Sequence, residues 1–172
     1  APATAVAQAL PKAPEAVIAS LDPNEVVAAQ EQVLSDLFER VLPSTVQIRI
    51  TQSVSGPRSD IPFDLVPGGE PFFPSGDGSG FVWDTDGHVI TNHHVVADAD
   101  KVIVIFPDTT EAEARVLGSD PDSDLAVLLV DLPPDFLQPV DLGDSDQLKV
   151  GQSAIAIGTP FGREFTMTVG VI

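Results

Sequence analysis

The chain of 172 residues holds three histidines, and two of them are adjacent in Thr91-Asn92-His93-His94-Val95-Val96. An imidazole is the side chain best suited to take up and return a proton near neutral pH, provided a partner fixes its tautomer. A candidate partner is Asp124, which stands directly before the apolar run Leu125-Ala126-Val127-Leu128-Leu129-Val130. A carboxylate at the mouth of a buried strand is costly unless backbone amides or a histidine ring N–H satisfy it. A His–Asp pair of that kind holds the imidazole ready to accept a proton from a nucleophile. On periodicity alone, a plain surface or core histidine is the safer reading. Adjacent side chains on a strand point to opposite faces, so a strand would bury at most one of the two.

Other chemistries find less support. There is no cysteine, which removes thiol nucleophiles, thiolate zinc sites and disulfides but says nothing about compartment. Asp120, Asp122 and Asp124 share the start of a calcium loop, but such a loop needs Gly at its sixth position and Glu at its twelfth. Leu125 and Asp131 stand there instead. No His-x-x-x-His spacing suits zinc. No metal and no cofactor is therefore expected. Acidic residues number 26 against 8 basic ones, a formal net charge of −18. That balance argues against nucleic acid as a partner, because phosphates need Lys and Arg. Half of the acids lie between Asp98 and Asp146, opposed only by Lys101 and Arg115. They read as a solvated face that keeps the protein soluble.

The elements that must position these groups follow from composition and period. Residues 1–21 are rich in Ala and Pro and read as a linker or arm. A helix is predicted over 22–42. Asp22 can cap it, Pro23 fits its first position and Glu25 completes an Asp-x-x-Glu box. Its apolar stripe is Val26, Val33, Leu34, Leu37, Phe38 and Val41, suited to packing on a domain or a neighbouring subunit. After Pro43 the period changes to two, and Val46, Ile48 and Ile50 mark a strand with one buried face. Residues 53–78, dense in Pro and Gly, read as a long irregular loop carrying Phe63, Phe72 and Phe73. Short strands are predicted at 80–84 and 88–91 around an Asp86-Gly87 turn, then at 101–106, 112–117, 125–130 and 153–157. Many short strands with close turns point to an all-β barrel or sandwich. No apolar run reaches the ~20 residues of a membrane-spanning helix.

Three segments, "GSGFVWDTDGHVITNHHVV", "LGSDPDSDLAVLLV" and "VGQSAIAIGTPFG", occur in one order and together resemble the protease domain of the HtrA (Deg) serine endopeptidases. The likeness runs from about Leu34 to Ile172. It implies a chymotrypsin-like fold: two six-stranded β-barrels with the active site in the cleft between them. Residues 43–172 would be the first barrel and the start of the second. The family's Thr-Asn-x-His-Val-Val signature places its catalytic base at His94, which leaves His93 as a structural or exposed neighbour. The family's triad aspartate begins an Asp-hydrophobic-Ala-hydrophobic strand, here at Asp124. Asp120 and Asp122 would then be solvated loop residues.

The family carries its nucleophile in a Gly-Asn-Ser-Gly-Gly motif well beyond the Thr-Pro-Phe-Gly turn, which is Thr159 to Gly162 here. That motif and its flanking oxyanion hole are absent from these residues, so the natural product is expected to be longer and the chain alone inactive. Ser79, between two glycines, precedes the histidine and would break the His, Asp, Ser order of this fold. The resemblance further implies unfolded or damaged polypeptide as substrate, a homotrimer, an envelope or organelle-lumen location, and a removed signal or membrane anchor upstream of the Ala/Pro-rich arm. The rival reading is a non-catalytic pseudoprotease that binds peptides or a partner subunit.

Overall fold

In the computed structural model the described residues are 22–52, 75–160 and 165–172. The predicted arm over 1–21, most of the predicted loop and its three phenylalanines lie outside them. The chain divides into two units, Ala1–Asp36 and Leu37–Ile172. The described part of the first is the opening of helix α1 (Pro23–Val41), where Asp22 Oδ1 accepts the Asn24 N–H at 2.9 Å, the cap its sequence calls for. Val26 and Val33 of the expected stripe are exposed, and no residue of α1 is fully buried.

The second unit is built on a closed antiparallel barrel. Its strands are β1 (Thr45–Thr51), β2 (Ser75–Val82), β3 (His88–Thr91), β4 (Lys101–Ile105), β5 (Glu111–Asp120) and β6 (Leu125–Val130). They pair in the order β1-β2-β3-β6-β5-β4, and β4 returns to β1. Closure leaves the six strands no free edge. Period-two alternation sends Val46, Ile48, Val82, Val89, Val104, Ala126 and Leu128 into a fully buried core. One face of β1 was expected to be wet, yet Thr45 and Gln47 are buried too. The amide of Gln47 meets its need by donating to Asp77 Oδ1 at 2.7 Å.

The predicted loop is too long at its end, because residues 75–78 are the first half of β2. Ile48 pairs with Gly78 and Ile50 with Gly76. The glycines read as breakers, but here they make room. A Cβ at Gly78 would lie 2.6 Å from Val95 Cγ1, and one at Gly80 would lie 2.7 Å from the Ile90 carbonyl oxygen. The predicted Asp86-Gly87 turn is present. Asp84 Oδ1 accepts the N–H groups of Asp86 and His88, Gly87 has φ +99°, and a Cβ there would collide with the Val130 carbonyl oxygen. β5 runs longer than predicted by using a bulge between Val116 and Gly118.

After the barrel, Val140 N–H donates to the Val82 carbonyl at 3.0 Å. β7 (Ser153–Gly158) and β8 (Thr166–Val171) then form a separate antiparallel pair. Ser79 Oγ accepts the Thr159 N–H at 2.8 Å and so ties the barrel to the end of β7.

Candidate active site

Both histidines sit on a single helical turn, α2 (His93–Val96), which follows β3. They are not on a strand, so the alternation argument does not apply to them. Val96 of this turn is buried in the barrel core, which fixes its rotation. Asp124 ends the tight turn between β5 and β6. Within that turn Asp120 accepts the Asp122 N–H through Oδ1 and the Ser123 hydroxyl through Oδ2. These two bonds, the Ser123 hydroxyl first, hold the Asp120 carboxyl below the ordinary range. Asp122 is exposed, as expected of a loop acid.

Folding brings His94 and Asp124 into direct contact. His94 Nδ1 is 2.8 Å from Asp124 Oδ2 and 3.0 Å from Oδ1, and the His94 backbone N–H donates to Oδ1 at 3.0 Å. A carboxylate can only accept, so Nδ1 carries the hydrogen and neutral Nε2 is left as the basic atom. The backbone and then the ring bond from His94 hold the Asp124 carboxyl below the ordinary carboxylate range, so it stays ionised. The His94 side chain is 70% exposed, leaving the ring accessible. Asp124 has φ +53°, a left-handed conformation that an L residue other than Gly adopts sparingly and Asp tolerates better than most. Its carbonyl accepts the His93 N–H at 3.1 Å.

His93 is half-buried and turned to a different partner, its Nδ1 lying 3.1 Å from Ser119 Oγ. The turn that bears Asp124 is thus fastened to α2 near both of its ends. Sequence reasoning did not single out Ser119 or Asn92. Asn92 precedes a helix and reads as an N-cap, but its side chain caps nothing. Its amide donates to the Asp124 carbonyl at 3.0 Å and to Oδ2 at 3.2 Å. Its place in the Thr-Asn-x-His-Val-Val signature is the signal that could have pointed to it. Ser79 is engaged elsewhere: its carbonyl accepts the Thr91 hydroxyl at 2.7 Å, and its own hydroxyl meets Thr159. Among the described residues no serine hydroxyl is hydrogen-bonded to the His94 ring.

An open, mostly apolar groove of ≈ 600 Å³ lies beside the pair, lined in part by Thr91, Asn92, Leu125, Ile155 and Ile157. Leu125 directly follows Asp124 and Asn92 hydrogen-bonds to it, while neither His94 nor Asp124 lines the groove itself.

Known proteins are similar to this chain in sequence and in fold. The family model of the trypsin-like peptidase domain matches residues 78–172. The probable periplasmic serine endoprotease DegP-like of Brucella melitensis is 35% identical over 86% of this chain and 36% of its own length. Protease Do-like 1, chloroplastic, of Arabidopsis thaliana is 50% identical over 58% of this chain and 23% of its own length. The chain thus spans about a quarter to a third of these curated relatives. Among solved structures, the HtrA-type protease AlgW with a decapeptide superposes with a TM-score of 0.63 at 34% identity, covering 80% of this chain and 44% of that one. The same protease with a tripeptide gives a TM-score of 0.65 at 33% identity, covering 80% and 38%. With the closed barrel and its sequence segments in order, these matches show that the chain belongs to the HtrA family of trypsin-like serine proteases.

Proposed function

We propose that the protein is a serine endopeptidase in which His94 is the general base and Asp124 the carboxylate that orients it. Nε2 of His94 removes the proton from a serine hydroxyl as that oxygen attacks a peptide carbonyl, and returns it to the leaving amine. Asp124 keeps Nδ1 protonated and stabilises the imidazolium that forms in between. The observation that carries this reading is the 2.8 Å contact between His94 Nδ1 and Asp124 Oδ2, made across 30 residues of chain beside an open groove.

Ser79 is engaged with Thr159, and in this reading the nucleophilic serine comes from outside these 172 residues. These residues alone therefore hydrolyse no peptide bond. The substrate is unfolded polypeptide, a reading supported by the relatives solved with a tripeptide and with a decapeptide. The protein works as a homotrimer outside the cytoplasm, in an envelope or organelle lumen. Support for that location comes from the relatives named periplasmic and chloroplastic.

The test is covalent labelling of the protein expressed from its whole gene with a fluorophosphonate. The expected result is one modified serine downstream of Ile172, with labelling lost in His94→Ala. A folded sample that stays unlabelled while retaining peptide binding would instead support the non-catalytic module.

A further inference from the structure

We infer that Asn92 is a positioning residue of this site, the group that sets the conformation of Asp124 and through it the tautomer of His94. The inference rests on the endopeptidase reading and deepens it. Asp124 is the member of the pair with an unusual backbone, φ +53°, and a left-handed residue persists only where its surroundings over-determine it. Four polar groups of α2 and its lead-in do so here. The His93 and His94 backbone amides bind the Asp124 carbonyl and Oδ1, and the His94 ring takes both carboxylate oxygens. Asn92 is the remaining one, and the only side chain among the described residues that holds the Asp124 main chain and its carboxylate at once, at 3.0 Å and 3.2 Å.

That double grip has a chemical consequence. The two Asn92 bonds tie the carboxylate to its own backbone carbonyl, and with the His94 backbone N–H on Oδ1 they orient the carboxylate that meets His94 Nδ1. The amide also donates to Oδ2, the oxygen nearest the ring, and draws off part of its charge. Without Asn92, the carboxylate keeps the His94 backbone N–H on Oδ1 but loses its tie to the Asp124 carbonyl and its second donor on Oδ2, so it turns more freely and the ring leaves it more often. A free imidazole then mixes its two tautomers, and the one with hydrogen on Nε2 cannot act as the base.

The experiment compares parent, Asn92→Ala and Asn92→Asp proteins, each expressed from the whole gene and labelled with 15N-histidine. The parent His94 ring should show the Nδ1–H tautomer, and Asn92→Ala a mixture. On an unfolded polypeptide substrate, kcat should fall about 10- to 100-fold in Asn92→Ala with KM changed less than about threefold, as for a misplaced base. Asn92→Asp, close in shape, guards against a folding failure of the alanine variant. It puts a second negative charge on the pair and should move the acidic limb of the kcat/KM profile up by about 0.5–1 pH unit. Unchanged tautomer and an unmoved acidic limb in folded variants, with only a lowered Tm, would overturn the assignment. If the parent itself cleaves nothing and takes up no fluorophosphonate, the endopeptidase reading has failed. The tautomer comparison then still decides whether Asn92 sets the pair.

Discussion

This chain holds two His–Asp contacts of nearly equal length, and they are built in opposite ways. His88 Nδ1 lies 2.7 Å from Asp84 Oδ2, across four residues of one hairpin. His94 Nδ1 lies 2.8 Å from Asp124 Oδ2, across 30 residues and between two separate elements. The first is a by-product of a turn: Asp84 is already placed by the N–H groups of Asp86 and His88, and the ring four positions on closes over it. Partial burial pushes the Asp84 carboxyl up, but the His88 ring and those amides outweigh it and the net displacement is downward. The second pair requires the whole barrel, because only the β3–β6 pairing brings the end of β3 beside the start of β6. It also needs a left-handed aspartate and opens beside a groove. Distance and carboxylate ionisation are alike in the two pairs. What differs is what the fold brings together to make them, and the exposure of the histidine side chain, 34% for His88 against 70% for His94.

The comparison breaks most decisively on activity. In the protein from the whole gene, His94→Ala should lower kcat by about 10⁶, the scale seen when a triad base is removed in subtilisin. His88→Ala should leave kcat within about threefold, since a local surface pair contributes no more than about 1 kcal/mol to stability. Turnover of an unfolded polypeptide, with thermal unfolding as a control, measures both.

The frame behind the second pair offers the next test. At Gly78 a Cβ would lie 2.6 Å from Val95, on the helical turn that carries His94. Gly78→Ala should therefore push α2 outward, costing about 1–3 kcal/mol of stability and roughly 10- to 100-fold in kcat. Gly118 has nothing within 4 Å of its would-be Cβ, and Gly118→Ala should change stability by less than about 0.5 kcal/mol. Equal effects at the two glycines would mean that Val95 does not brace the histidine.

The smallest effect is on acid stability. Asp84, Asp120 and Asp124 all have carboxyls depressed in the folded state. Such groups stabilise the fold fully above the unfolded carboxyl value, about pH 3.9, and lose that contribution as pH falls through the lower folded value. Stability should thus decline below about pH 4, and Asp84→Asn with Asp120→Asn should flatten that decline. Chemical unfolding at a series of pH values reads it directly.

The chain's own pattern was enough to locate much of this. A period-two run marked β1, and short apolar runs between turn signals marked β4 and β6. Asp86-Gly87 marked the hairpin because Gly87 must take a positive φ. Asp124 stood out as a charge against an apolar run. What pattern could not show was tertiary. The start of β2 looked like loop because Gly76, Gly78 and Gly80 are chosen for the neighbours they must clear, not for strand propensity. The α2 turn is too short to display a helical period. The His88 pair and the Asn92 bonds depend on where side chains point, which residue order does not state.

The most direct measurement is kcat/KM for Asp124→Asn against Asp84→Asn, made side by side in the protein from the whole gene. Each substitution leaves shape intact and removes a charge from one His–Asp contact. The expected result is a loss of about 10⁴ for Asp124→Asn, the scale of the same change in a serine-protease triad, and less than about threefold for Asp84→Asn. Comparable losses in both, or none in either, would contradict the assignment of His94 and Asp124 as the pair that does the chemistry.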